Sequence, residues 1–486
     1  MFKKKKAFII LFAQEKTNQL KNYNMKQTPA PKRSVNKKAR RNAKKKAALA
    51  AVDATNPRVP TIPNGVNGVG GTGREDAFLK KLGIEVTFQR WMRKSNNEIV
   101  GKGSDGLVYG MKEEVHTCQG VTAQVLKIHE ASASVLIYEG EDSASPPVEC
   151  DAVSNMSIRK LGAALSKKQR RAPEGTEPRI TQMRIDDGSI KSGDALNEAM
   201  VHRACSLCSE KNFTPHITMC SRAAWNPRSL EAYMWLERYD FTLDSFAQSH
   251  LRWWTKERFC AMFFQIFHTV YVMQEVLQLK HHDLHDQNVA IKRIDNQTLF
   301  RGEALKHVTH FMYNIGEQQF FVPNIGYLVK LSDFGFANVS VGGKRMQRID
   351  LPHFNDNPSK YGTWDSDLED KHGYDLQVLL ASYCTPSLKT LCSKNKEIAT
   401  LMRTMYTTVL GPKGRNTKSQ RPMPNHVSDV RPADAICSLF GKGGNCQSFL
   451  SDPRDTNSSA AAVVIADMTI NQSQAAAYFD EFFENV

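Results

Sequence analysis

Between Thr255 and Leu279 apolar side chains recur every three or four positions (Phe259, Met262, Phe263, Ile266, Phe267, Val270, Met273, Leu277), which predicts one long, mostly buried helix. Short apolar or alternating runs, such as Ile-Glu-Val-Thr-Phe-Gln-Arg-Trp at 84–91, predict strands, and regular order is expected from about Asp76. Residues 26–75 pair a basic block with Pro- and Gly-rich sequence and few bulky apolar residues, so a disordered segment is expected. A second polar stretch, roughly Gly140 to Gly193, reads as a long insertion. The last thirty residues, polar and then Ala-rich, are expected to form a loosely attached tail, and no internal repeat is present.

Composition changes this picture in one respect. The 486 residues are 41% hydrophobic, ample for a core, and carry 65 Lys and Arg against 50 Asp and Glu. Residues 1–46 hold 16 of the basic residues and one acid, Glu15, so the whole net charge of +15 sits in this arm and the remainder is balanced. A globally basic nucleic-acid-binding fold is thereby excluded as the default, leaving a polybasic arm on a near-neutral body. Its Lys-Arg-Ser-Val-Asn-Lys-Lys-Ala-Arg-Arg-Asn-Ala-Lys-Lys-Lys run (32–46) reads as nuclear localisation or DNA/RNA attachment, with simple solubility as the alternative. No apolar run approaches the roughly 20 residues of a membrane span, and no membrane partner is expected. The start superficially resembles a secretory signal, but Ala7–Ala13 is short and no small-x-small cleavage site follows; Met25 is an alternative start. Ten irregularly spaced cysteines point to a reducing compartment, and the lone Cys205-x-x-Cys208 reads as buried helix cysteines rather than half of a zinc site.

Chemistry concentrates in five segments. Gly101-Lys-Gly103-Ser-Asp-Gly106-Leu-Val108 fits a strand-turn-strand whose side-chain-free positions let backbone amides approach phosphate oxygens. About twenty residues on, Lys127 stands in the strand-like Ala-Gln-Val-Leu-Lys-Ile, where its cation suits α- and β-phosphates and needs a carboxylate to hold it. Glu198, in a helix-like run, is the candidate carboxylate. After the long helix, His281-His282-Asp283-Leu-His285-Asp-Gln-Asn288 puts Asp283 and Asn288 five residues apart on a short loop, as a proton acceptor and a metal-ligating amide. Histidine-rich loops also bind zinc, and His281, His282 and His285 leave that alternative open. An apolar strand then ends in Asp333-Phe334-Gly335, where Asp333 suits Mg²⁺, a hard cation that prefers oxygen.

Five such segments in this order resemble the eukaryotic-type protein kinase superfamily over about residues 95–440. The resemblance implies an α+β, bilobal protein-kinase-like fold: a disordered tail (1–75), a small β-rich N-lobe (76–237, insertion about 140–193), a larger helical C-lobe (238–455, insertion about 293–325) and a C-terminal tail (456–486). It makes Gly101, Gly103, Gly106 and Val108 the nucleotide-covering loop, Lys127 and Glu198 an ion pair, Glu237 a hinge residue beside the adenine and Leu236 the gatekeeper. Asp283 becomes the catalytic base, Asn288 and Asp333 the Mg²⁺ ligands, and Asp375 the helix carboxylate that anchors the catalytic loop. ATP and Mg²⁺ are the implied cofactors and a protein the implied substrate.

Departures from the family pattern matter. His282 stands where the family has the arginine that senses activation-loop phosphate, so activity independent of that phosphorylation is expected. His285 replaces a common lysine and could neutralise the γ-phosphate only when protonated, so rate should fall as pH rises through histidine titration. No APE-like motif follows, and Tyr361-Gly-Thr363 is a weak echo of the usual substrate-docking stretch. The Asp-Leu-His loop, the hairpin ending near Pro323-Asn-Ile-Gly326-Tyr and the Tyr-Asp-Leu-Gln-Val-Leu-Leu helix look like serine/threonine kinases of large DNA viruses, and distantly like haspin; an intracellular protein is expected, with the polybasic tail pointing to the host nucleus or the virion. The reading is therefore a protein serine/threonine kinase. A small-molecule phosphotransferase and a catalytically idle scaffold with a nucleic-acid-binding tail are the alternatives.

Overall fold

The computed structural model describes residues 73–87, 99–102, 106–117, 120–130, 137–139, 179–181, 183–186, 189–227, 230–300, 302–341, 344–348, 372–381, 386–410, 429–457 and 459–466. The chain divides into two units, 1–66 and 67–486, and every described residue belongs to the second. The expectations for the basic arm, for the insertion between 140 and 178 and for Tyr361-Gly-Thr363 lie outside the described residues. Residues 73–75, assigned above to the tail, instead open helix α1 (Gly73–Lys81).

The fold is α+β. Its largest sheet runs β1 (Ile84–Val86), β9 (Cys220–Asn226), β10 (Glu231–Glu237), β4 (Gly120–Glu130), β3 (Gly106–Thr117) and β2 (Ile99–Lys102), antiparallel except where β1 meets β9. Alternation along β4 sends Leu126 and Ile128 to one face, into a small cluster with Tyr109, Tyr233 and Trp235. Val125, Lys127 and His129 take the other face.

Helix α2 (Asp194–Glu210) is buried along all but its last residue, so its polar groups must find partners inside. Most do: Asn197 donates to Ala337 O at 3.0 Å, Arg203 to Leu82 O at 3.0 Å, and Ser209 to Thr214 O at 2.7 Å, while Nδ1 of His202 makes no hydrogen bond. Cys205 and Cys208 lie on this helix, buried and unbridged as expected, and burial pushes both thiols up. Strands β5 (Ile137–Glu139) and β6 (Arg179–Thr181) pair with each other. Just before α2, β7 (Met183–Asp186) and β8 (Ser189–Ser192) form a hairpin at the end of the expected insertion. It joins β18 (Val339–Val341) and β19 (Lys344–Arg348), with β8 parallel to β19.

After β10, β11 (Phe241–Thr242) leads into α3 (Leu243–Ser249), whose Thr242 and Ser245 form a reciprocal capping box. The long helix expected from periodicity is α4 (Lys256–Leu277), capped by Thr255. It is apolar and long enough to cross a membrane, but 89% of that window is packed inside the protein. Helices α5 (Tyr374–Ala381), α6 (Pro386–Lys394), α7 (Lys396–Leu410) and α8 (Pro432–Phe440) share one apolar core with it. Strands β12 (Val289–Arg293) and β17 (Tyr327–Leu331) pair antiparallel, with β11 on the other side of β12.

Between them, the stretch expected as an insertion is a built subdomain. A minimal pair, β13 (Leu299–Phe300) and β14 (Glu303–Ala304), precedes a regular hairpin, β15 (His310–Ile315) and β16 (Gln318–Pro323). The turn after it needs Gly326, at φ 78°, with its amide donating to Asn324 Oδ1 at 2.9 Å. The expectation of a loose tail is corrected for residues 461–466, where β20 (Ala462–Ala466) runs parallel to β15 and the amides of Thr309 and His310 both donate to Ala461 O; residues 467–486 lie outside the described residues. Unpaired donors along β15 make a strand the favourable state for these residues.

Candidate active site

Lys127 lies in the middle of β4, on the face turned to α2. Its Nζ is 2.5 Å from Glu198 Oε1 and 3.1 Å from Asp333 Oδ1, so one ammonium joins carboxylates from two separate elements. Burial disfavours its charge, but Asp333 and Glu198 outweigh burial and hold the lysine well above its ordinary value. Glu198 is buried too, and Lys127 and His129 hold its carboxyl well below the usual range. His129 takes the second oxygen, Nδ1 to Oε2 at 2.7 Å.

The loop carrying Asp283 starts where α4 stops. Gln278 turns left-handed at φ 47°, and main-chain bonds between Lys280 and Asn338 in both directions fix the exit. Asp375, at the start of α5, accepts from the amides of His281 and His282, each at 2.9 Å. Those bonds hold His282 at φ 65°, a conformation a non-glycine residue keeps only when its surroundings impose it. His282 Nε2 accepts from Asn338 Nδ2 at 2.9 Å, and burial depresses this imidazole far below its ordinary value, so it is neutral. His281 donates through Nε2 to Ser332 O at 3.1 Å.

Asn288 immediately precedes β12 and spends its amide nitrogen on Asp283, 2.8 Å to the carbonyl and 3.4 Å to Oδ2. Its side-chain oxygen is thereby the atom available for a cation. His285 Nδ1 accepts from the Gln287 amide at 3.2 Å, while Nε2 stands 3.6 Å from Asp283 Oδ2. The Asp283 carboxylate raises the His285 pKa above 6.5 against the effect of burial. Ser332 ties this loop to the other group, because its amide and hydroxyl both donate to Asn288 O at 3.1 Å.

Asp333 follows β17 at φ 62°, with 49% of its side chain exposed. Phe334 turns the opposite way, fully buried, edge-on to His202 at 4.9 Å and tilted against His281 at 5.2 Å. Glu237 closes β10, but its side chain points inward: Oε1 is 2.6 Å from Lys330 Nζ, Oε2 is 3.0 Å from Lys292 Nζ, and the Met219 amide donates to it at 2.9 Å. Its own amide donates to Met219 O at 2.8 Å, so Glu237 is held through both side chain and main chain. Leu236 beside it is buried and pairs across the sheet with Val125.

Among the expected site residues, Lys127 touches both Glu198 and Asp333, and Asp283 touches both His285 and Asn288. Gly101 pairs with Val108 across β2 and β3, Gly106 opens β3, and Gly103 lies outside the described residues. A Cβ on Gly101 would sit 3.5 Å from Val108 Cβ, an ordinary contact. The three histidines of the loop face three different partners, and among the described residues no group of three His, Cys, Asp or Glu side chains could hold a metal ion, which argues against the zinc alternative. Sequence reading missed His129, Asp194, Asn338, Lys292 and Lys330. His129 had a signal, since position i+2 on a strand shares the lysine's face. The others come from elements far away in the chain. No protein-family model matches the chain, and no curated protein matches it.

Proposed function

We propose that this chain is an ATP-dependent protein kinase that transfers the γ-phosphate to Ser/Thr hydroxyls, built on a bilobal protein-kinase-like arrangement and related to the serine/threonine kinases of large DNA viruses. The observation that carries the reading is Lys127 held between Glu198 and Asp333, beside a loop in which Asp283 and Asn288 are bonded to each other. Phosphoryl transfer asks a protein mainly for positioning and charge neutralisation, and these residues supply both.

Lys127, fixed by Glu198, binds the α- and β-phosphates, and the glycines of β2 and β3, Gly101 and Gly106, leave room for the phosphates beside them. Mg²⁺ keeps several waters and takes few protein oxygens, so Asp333 and Asn288 Oδ1 fit its needs without a metal cage. When bound, the ion neutralises charge on the phosphates. Asp283 accepts the proton as the substrate hydroxyl oxygen forms its bond to the γ-phosphorus. The bond from that phosphorus to the β,γ-bridging oxygen breaks, and its electron pair leaves with ADP. Asp283 favours protonation of His285; the proton taken at Nδ1 displaces the bond from the Gln287 amide, and the resulting cation stands beside the transferred group. The basic arm supplies attachment to DNA or RNA, or a nuclear address, and its binding should weaken steeply with salt.

The test is radiolabelled γ-phosphate transfer by the full chain with Mg²⁺ and ATP, offered casein, histones and an aminoglycoside. Label on protein that falls by ~10²–10⁴ in Asp283→Asn, and is lost in Asp333→Asn, supports the reading. Label confined to the small molecule, or none at all, overturns it.

A further inference from the structure

The face of β4 turned to α2 carries a second polar residue beyond Lys127. His129, two positions on, is 2% exposed, and its ring stands between two carboxylates of one helix. Nδ1 is 2.7 Å from Glu198 Oε2, the oxygen Lys127 does not take, and Nε2 is 3.8 Å from Asp194 Oδ2. Asp194 and Glu198 are four residues apart, one turn of α2, so the ring spans the first turn of the helix.

A neutral imidazole that donates through Nδ1 to Glu198 turns the lone pair of Nε2 toward Asp194; the protonated ring faces Asp194 with an N–H instead, at 3.8 Å a through-space ion pair and not a hydrogen bond. The charged groups facing it are Asp194 and Glu198 from α2 and Lys127 from its own strand. Burial and Lys127 oppose protonation, but the two carboxylates prevail and raise this histidine to about 9. Glu198 therefore has cations on both oxygens and cannot rotate away from Lys127 without giving up one of them.

We propose that His129 is a positioning residue which, as an imidazolium, ties the first turn of α2 to β4 and keeps Glu198 turned onto Lys127. This rests on the kinase reading, because Lys127 needs Glu198 only if it holds phosphates. The site then carries its own clamp on α2, set by proton concentration.

Two measurements on the full chain test it separately. In ring-labelled protein without nucleotide, the histidine resonance absent from His129→Gln should titrate near 9, and near or below 6.5 in Glu198→Gln. A wild-type midpoint at or below 6.5 overturns the clamp, whether or not the protein is a kinase. In phosphoryl transfer at pH 7.5, His129→Gln should lower kcat/KM for ATP by about tenfold at an unchanged melting temperature, and the wild-type decline near pH 9 should vanish from its profile. Asp194→Asn, which keeps the shape of that residue, should give a smaller loss of about threefold and a lowered His129 midpoint, and serves if the Gln variant folds poorly. Full kcat/KM in both variants overturns the positioning role. Wild-type protein that transfers no phosphate overturns that role together with the kinase reading, while the titration still decides the clamp.

Discussion

Two clusters of buried charge, one at Glu237 and one at Lys127, both pair lysine with glutamate and differ in access. Glu237 is bonded by Lys292 and Lys330, and no side chain of that trio is more than 12% exposed. The Lys127 cluster is as deeply set at Glu198 and His129, but Asp333 opens it to solvent at 49%. Removing a partner from a buried pair leaves an uncompensated charge, whereas an open edge can accept a charge from outside. A closed cluster holds the sheet to β12 and β17; an open one is where a ligand can join.

Substitutions at the two clusters should therefore separate stability from chemistry. The largest effect is expected for Lys127→Met, which should lower phosphate transfer by about 10³ while the melting temperature moves little, because His129 still serves Glu198. Loss of folding with no separate loss of rate would break the contrast. Glu237→Gln should do the opposite: about 3–5 kcal/mol of stability lost in urea unfolding, from two buried lysines deprived of their carboxylate, with kcat near wild type at low temperature. Glu237 and Glu198 both lie below the ordinary glutamate value of 4.5, so their stabilisation is present above that pH and is lost as pH falls through their folded values. Glu237→Gln should flatten this acid limb.

Smaller effects sharpen the open cluster. His285 is raised by Asp283, so its cation persists to pH values above 6.5 and then fades. A severalfold fall in kcat beyond that point, absent from His285→Gln, is expected in a pH-rate profile. Phosphatase treatment should change the rate by less than twofold, since neutral His282, bonded to Asn338, has no charge with which to read a phosphate.

Local signals were legible in the sequence and distant pairings were not. The spacing of Phe259, Phe263 and Phe267 marked α4 to within a residue or two, because helical periodicity is written into neighbouring positions. Lys127, Glu198, Asp283, Asn288 and Asp333 were legible because each sits in a short pattern. Which lysines would meet Glu237 was not, since Lys292 and Lys330 arrive from strands whose register is set only when β12 and β17 pair. The same holds for β20: Ala-Val-Val-Ile-Ala has strand character, but its partner lies far upstream. The expected insertion after Gly140 ends in β7 and β8 because β19 offers them an edge, which no local window could reveal.

The pairing of β15 with β20 also sets a clock on synthesis. Thr309 and Ala461 are 152 positions apart, so at roughly 5–20 residues per second the ribosome needs about 10–30 s to supply the second strand after the first. Through that interval the nascent hairpin shows an unpaired edge, the kind of surface that recruits stray strands. Synthesis is thus a stage at which this edge stands open to misassembly.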